Sequence, residues 1–185
     1  EMGQLLDTKC TRKQSELLQK THHLFVLMFL LRGLPFVDLA YIQKKDLNGN
    51  ILTYHRRKTG RQITITVTKD AMNIIREYMD TTTESPYLFP ILSNFHKTEQ
   101  QKVNRIHKII AKVNKSLKEI GERLNIPIDL TTYVARHSFA TVLKRSGVNT
   151  SLICEALGHS SERVTQIYLD SFGNDQMEDA MKNLL

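Results

Sequence analysis

One apolar stripe constrains this chain more than any other feature of it. Val103, Ile106, Ile110, Val113, Leu117, Ile120 and Leu124 recur at alternating steps of three and four residues. That spacing puts all of them on one face of a single long helix. Such a face must be covered by other elements, because tertiary packing rather than propensity holds most helices together. Lys102, Arg105, Lys108, Lys112, Lys115 and Lys118 fall off the stripe. They read as a solvated face, with contact to a phosphate backbone as the alternative.

The partners for that stripe are readable on either side. A helix is predicted over 11–31, and Leu24 to Leu31 are apolar on every side, as in a buried helix. Gly33 and Pro35 interrupt it, and a short helix over Phe36 to Tyr41 follows. Ile51 to His55 and Ile63 to Val67 then alternate or favour strand. Between them Arg56-Arg57-Lys58-Thr59-Gly60-Arg61 makes a basic hairpin turn, with Gly60 free to take positive φ. Asn48-Gly49 signals a further turn and a third short strand. Helices are predicted over Lys69 to Met79, Thr132 to Arg145 (stopped at Gly147) and Thr150 to Leu157. The last of these is capped by Asn149 and stopped by Gly158. Ser160 is the expected cap of the next helix, which carries Tyr168, and a final helix is predicted over Asp175 to Leu185. Residues 81–100, with Pro86 and Pro90, read as loop. The expected fold is mainly α with a small three-stranded antiparallel β-sheet.

The net charge of +7 and the sequence pI of about 9.4 favour a polyanionic partner. Cys10 and Cys154 stand far apart without ligand-like neighbours, so neither a disulfide framework nor a cysteine-based metal site is expected. No apolar run is long enough to span a bilayer, no leader is evident, and a reducing cytoplasm fits. No cofactor is called for, and no P-loop pattern is present.

Four segments carry the chemistry: Lys58 in the basic turn, Tyr133-Val134-Ala135-Arg136-His137-Ser138, Leu157-Gly158-His159-Ser160, and Thr165-Gln166-Ile167-Tyr168. Arg136 and His159 are 23 residues apart, and His159 and Tyr168 are 9 apart. In order and spacing the set resembles the tyrosine recombinase (phage integrase) family, with its H-x-x-R-H segment, L-G-H segment and nucleophilic tyrosine. Arg32-Gly33-Leu34-Pro35-Phe36-Val37-Asp38 is similar to the family's first arginine motif, in the form carried by integrases of conjugative transposons and related elements. Tyr87-Leu88-Phe89-Pro90 is similar to a loop common in the family.

The resemblance implies a catalytic domain that cuts and rejoins DNA through a 3′-phosphotyrosine, within a four-protomer synapse on double-stranded DNA. Tyr168 would be the nucleophile. Arg136 would neutralise a phosphorane-like state, for which a planar, permanently charged donor is well suited. Lys58 would protonate the leaving 5′-oxygen, His159 would hydrogen-bond a nonbridging oxygen, and His137 would support the site from behind. Arg56, Arg57 and Arg61 would contact DNA phosphates. A phosphotyrosine ester conserves the bond energy, so rejoining needs no ATP.

Two departures from the family pattern stand out. Tyr133 occupies the place of the first histidine, and a phenol cannot serve as a base at neutral pH as imidazole can. Pro35 stands three residues before the acidic Asp38, where the family has arginine. Arg32 lies three residues further upstream, and on a continuous helix it would face nearly the same way; it is the expected replacement, with Arg56, Arg57 or Arg61 of the hairpin as the alternative. The chain begins at Glu1, and residues 1–185 are expected to be one C-terminal catalytic domain lacking its N-terminal helical partner. Two rival readings are a noncatalytic helix-turn-helix regulator built on Thr150 to Tyr168 and a type IB topoisomerase. Neither a nucleophilic tyrosine nor a hairpin lysine is needed by the former.

Overall fold

The computed structural model describes residues 12–170. Helix α1 (Arg12–Leu30) and the short α2 (Phe36–Tyr41) lead through a 3-10 turn at Lys44–Asp46 into three strands, β1 (Leu47–Asn48), β2 (Ile51–His55) and β3 (Gln62–Thr66). Five helices follow: α3 (Lys69–Tyr78), α4 (Glu99–Arg123), α5 (Thr132–Arg145), α6 (Thr150–Leu157) and α7 (Glu162–Asp170). The architecture is the expected one, mainly helical with a three-stranded antiparallel sheet in the order β1-β2-β3. The helix expected over Asp175 to Leu185, and Cys10, lie outside the described residues.

Helix α1 is the centre of the packing and touches α3, α4 and α5. Leu18, Phe25, Leu27 and Met28 are buried on it. The α4 stripe covers this core through Ile106, Leu117 and Ile120, with Ile110, Val113 and Leu124 half-buried and Val103 exposed in the first turn. Thr98 and Gln101 close the start of α4 as a capping box: the Gln101 amide donates to Thr98 Oγ1 at 3.2 Å, and the Thr98 amide to Gln101 Oε1 at 3.1 Å. A smaller cluster of Ala140, Ile153, Leu157 and Leu169 ties α5, α6 and α7 together. Tyr168 packs against its edge.

Three local features position the site. First, the chain between α1 and α2 is not helical. Arg32 and Gly33 both take left-handed backbone, at φ 60° and 65°. Gly33 N donates to Phe29 O at 3.3 Å and Leu34 N to Met28 O at 2.9 Å, which stops α1. Arginine in this conformation costs about 1–2 kcal/mol, so the surrounding packing holds it there. Second, the β2–β3 hairpin closes tightly: Arg56 N donates to Arg61 O and Gly60 N to Arg56 O, each at 2.8 Å, with Gly60 at φ 69°. Third, Asn149 caps α6 through Leu152 N at 2.9 Å, and Gly158 ends it at φ 65°. The cap of α7 is Ser161, whose hydroxyl accepts from Val164 N at 3.4 Å, and not Ser160. Both are serines next to the helix start, and a shift of one residue is the usual error of reading a boundary from sequence.

Candidate active site

Arg136 sits on α5 with its side chain 4 % exposed. Its guanidinium donates to Gly33 O at 2.9 Å and to Leu157 O at 2.7 Å. The left-handed turn after α1 and the end of α6 thus grip it from two sides. Glycine at 33 suits this approach, since a Cβ there would crowd Arg136 Cα at 3.0 Å and the backbone is left-handed, at φ 65°. A guanidinium has five N–H donors, so these two bonds leave it further donor capacity.

Arg56 lies at the base of the hairpin and not at its tip, and it is 7 % exposed. It pairs with Asp38 of α2, which is 2 % exposed and also accepts from Arg57 N at 3.0 Å. Among the described residues, the buried formally charged side chains are Arg56, Arg136 and Asp38. Two cations and one anion leave a net positive charge in a desolvated place, where isolated charge is costly. Burial first, and Arg56 second, lower the pKa of Arg136.

An aromatic group closes the other side. Tyr168 stacks on His137 with ring centroids 4.7 Å apart and planes 15° apart. Tyr133 meets His137 edge-on at 4.1 Å, and His159 meets Tyr168 edge-on at 5.2 Å. Burial raises the pKa of the Tyr168 phenol well above its ordinary value, and Tyr133 raises it further by charge and by a side-chain hydrogen bond. Arg136 and Arg56 act in the opposite direction, so both guanidiniums are within electrostatic reach of this phenol. His159 and His137 are both pushed down to about 4, by burial first and Arg136 next, and are neutral at pH 7. Arg56 and Lys58 add to the effect on His159. His159 Nδ1 lies 2.9 Å from Thr165 Oγ1, one turn before Tyr168 on α7.

The structure therefore gathers Arg136, His137, His159, Tyr168, Tyr133, Arg56 and Asp38 into one cluster, with exposed Lys58 acting on His159. Arg32 lies between helices, where Gly33 and Pro35 were expected to interrupt the chain: α1 ends at Leu30 and α2 starts at Phe36. Half-buried Arg32 borders the cluster through Tyr54, whose phenol it acts on together with Arg56 and Arg136. The arginines expected on DNA also have protein partners. Arg56 is internal; Arg57 lies 4.1 Å over the Tyr41 ring and 3.1 Å from Glu99; Arg61 is exposed, and its guanidinium donates to His159 O. Thr59 and Thr165 were missed at the sequence level. Thr165 was findable, since a hydroxyl three residues before a helical nucleophile shares its face.

The fold thus brings two buried cations, one buried anion and the Tyr168 phenol together in one cluster. The chain belongs to the phage integrase family, whose sequence profile matches residues 1–174. It is 32 % identical over 148 residues to the tyrosine recombinase XerA of Pyrococcus furiosus, covering 78 % of this chain and 48 % of that protein. It is 29 % identical over 174 residues to a tyrosine recombinase of Thermosipho africanus, covering 93 % and 56 %. The chain thus spans about half the length of these relatives. Among solved structures it shares the fold of XerA recombinase, with a TM-score of 0.59 at 20 % identity over 95 % of this chain and 64 % of that one. It likewise resembles the Tn1549 transposon integrase solved in complex with a circular intermediate DNA, with a TM-score of 0.54 at 18 % identity over 95 % and 67 %. No described helix is long and apolar enough to cross a membrane.

Proposed function

We propose that this chain is the catalytic domain of a site-specific DNA recombinase that integrates or excises a mobile element. The observation that carries the reading is the buried pair Arg56 and Arg136, short of one anion, beside the Tyr168 phenol. A scissile phosphate supplies that missing charge. The relatives named tyrosine recombinases and the DNA-bound transposon integrase support the same assignment. A helix-turn-helix regulator would have no use for such a buried cationic cluster.

In this reading Tyr168 Oη attacks the scissile phosphorus and loses its proton to water, the two guanidiniums favouring the phenolate. Arg136 and Arg56 hold the nonbridging oxygens. Arg56, rather than Arg32, takes the place of the arginine missing at position 35, because it acts on Arg136, His159 and Tyr168. Neutral His159 donates from Nε2 in the tautomer in which Thr165 gives its one hydroxyl proton to Nδ1, at 2.9 Å, in place of Ser161 O at 3.3 Å. Lys58 protonates the departing 5′-oxygen. Tyr133 replaces a histidine as a hydrogen-bonding wall and not as a base. The active assembly is a tetrameric synapse on double-stranded DNA, completed by an N-terminal domain outside these residues.

The test is trapping on a nicked suicide substrate. Wild-type protein forms a covalent adduct, and Tyr168→Phe binds the same DNA and forms none. An adduct persisting in that variant would remove Tyr168 from its role.

A further inference from the structure

The end of α6 is also a junction between the L-G-H segment and the β2–β3 hairpin. Three successive carbonyls leave the helix there, at Leu157, Gly158 and His159, beyond the reach of its backbone N–H groups, although His159 O also accepts from Cys154 Sγ of α6 at 3.6 Å. Each is taken by a side chain from elsewhere. Arg136 donates to Leu157 O at 2.7 Å, Thr59 Oγ1 to Gly158 O at 3.1 Å, and Arg61 to His159 O. Cations and donors are favoured at this pole of a helix. Thr59 and Arg61 lie in the hairpin on the C-terminal side of Lys58, inside the loop closed by the two hydrogen bonds between Arg56 and residues 60 and 61. The approach is close: a Cβ at Gly158 would come within 2.7 Å of Ile63 Cδ1 and 2.9 Å of Arg56 Cγ. The bare Cα at 158 is what lets the hairpin reach the turn.

We infer that Thr59 and Arg61 are positioning residues that lock the hairpin lysine to the turn bearing His159. Neither touches the reacting atoms. They set Lys58 in register with His159 and, through Leu157 O, with Arg136. One helix end thereby coordinates the leaving-group acid, the nonbridging-oxygen donor and the main guanidinium. This assigns Arg61 to the protein's own carbonyl in place of a DNA phosphate, and it gives Gly158 a steric reason beyond ending a helix. The inference rests on Lys58 being the acid. In that step the Tyr168 Oη–P bond forms as the P–O5′ bond breaks, the phenolic proton goes to water, and the Lys58 ammonium gives its proton to the 5′-oxygen.

The test compares two DNA substrates in single-turnover cleavage at saturating protein. One is ordinary, and the other carries sulfur in place of the bridging 5′-oxygen. A thiolate leaves without protonation, so loss of the acid slows only the ordinary substrate. Lys58→Ala should be slow on ordinary DNA and near wild type on the thio-substrate. Thr59→Val and Arg61→Ala should follow the same pattern with smaller losses. For Thr59→Val the loss is about tenfold, as for one neutral hydrogen bond. Thermal melting of each variant reports whether it folds, and the near-isosteric Thr59→Val serves if Arg61→Ala does not. Equal slowing of both substrates by a folded Thr59→Val, or no slowing of either, overturns the positioning role. If Lys58→Ala itself is not restored by sulfur, the acid assignment has failed and the positioning role falls with it.

Discussion

Removing the Asp38 carboxylate should be among the most damaging single changes available to this domain. In Asp38→Ala, Arg56 would remain 7 % exposed beside Arg136 at 4 %, with no buried carboxylate to balance either. Breaking a buried ion pair by deleting one partner costs about 3–5 kcal/mol. The lost acceptor for Arg57 N at 3.0 Å adds roughly 1 kcal/mol. Against a total stability of about 5–15 kcal/mol, that brings the domain near unfolding. With a urea dependence of about 2 kcal/mol/M, the midpoint should drop by roughly 2–3 M. The double variant Asp38→Leu/Arg56→Met removes both charges and should recover most of that midpoint, since apolar replacement of a buried pair is often neutral or better. Its DNA cleavage should nonetheless stay down by about 10²–10³, as for loss of a transition-state donor. Urea denaturation followed by circular dichroism, beside suicide-substrate cleavage, reads both quantities. A midpoint shift under roughly 0.5 M for Asp38→Ala would contradict a buried, uncompensated Arg56. A double variant as unstable as the single one would place the loss in packing and not in charge.

Gly158→Ala should destabilise the chain by about 2–4 kcal/mol, combining left-handed strain with overpacking against Ile63 and Arg56, and should detach the hairpin; a melting temperature equal to wild type would refute this. Because His137 and His159 fall to about 4 from an ordinary 6.5, the unfolded chain binds protons first as the pH drops. Their contribution to stability is full above about pH 6.5 and is lost toward about pH 4, with a slope of up to roughly 1.4 kcal/mol per pH unit for each ring. The slope should flatten in a His137→Gln variant, measured by urea midpoints across that window. Thr165→Val should slow cleavage about tenfold to hundredfold by freeing the His159 ring, by analogy with outer-shell hydrogen bonds that orient histidine ligands, and an unchanged single-turnover rate would exclude the orienting role. DNA affinity should fall linearly with salt on logarithmic axes; a flat response in a filter-binding titration would make the +7 charge incidental.

What the sequence by itself determined is what repeats along one element or depends on neighbouring residues. The period of Val103 to Leu124 specified α4 because helical geometry alone puts those residues on one face. Alternation around Gly60 specified the hairpin, and Asn149 and Gly158 marked both ends of α6, since caps and left-handed glycines act within a few residues. The order and spacing of Tyr168, His159 and Arg136 singled out three residues that the fold places in one cluster. The tertiary structure alone decided what each charge faces. Arg56, Arg57, Lys58 and Arg61 are one basic run in the sequence, yet one lies buried against Asp38, one stacks on Tyr41, one is exposed and one holds His159 O. Arg32 and Arg56 could not be ranked as donors from sequence, because that depends on a left-handed turn that swings residue 32 off the helix axis. The partners of Arg56 and Arg136 at Asp38 and Gly33 stand 18 and 103 residues away in the chain, and pairings at that range are set by how the elements pack and not by any local preference of the backbone.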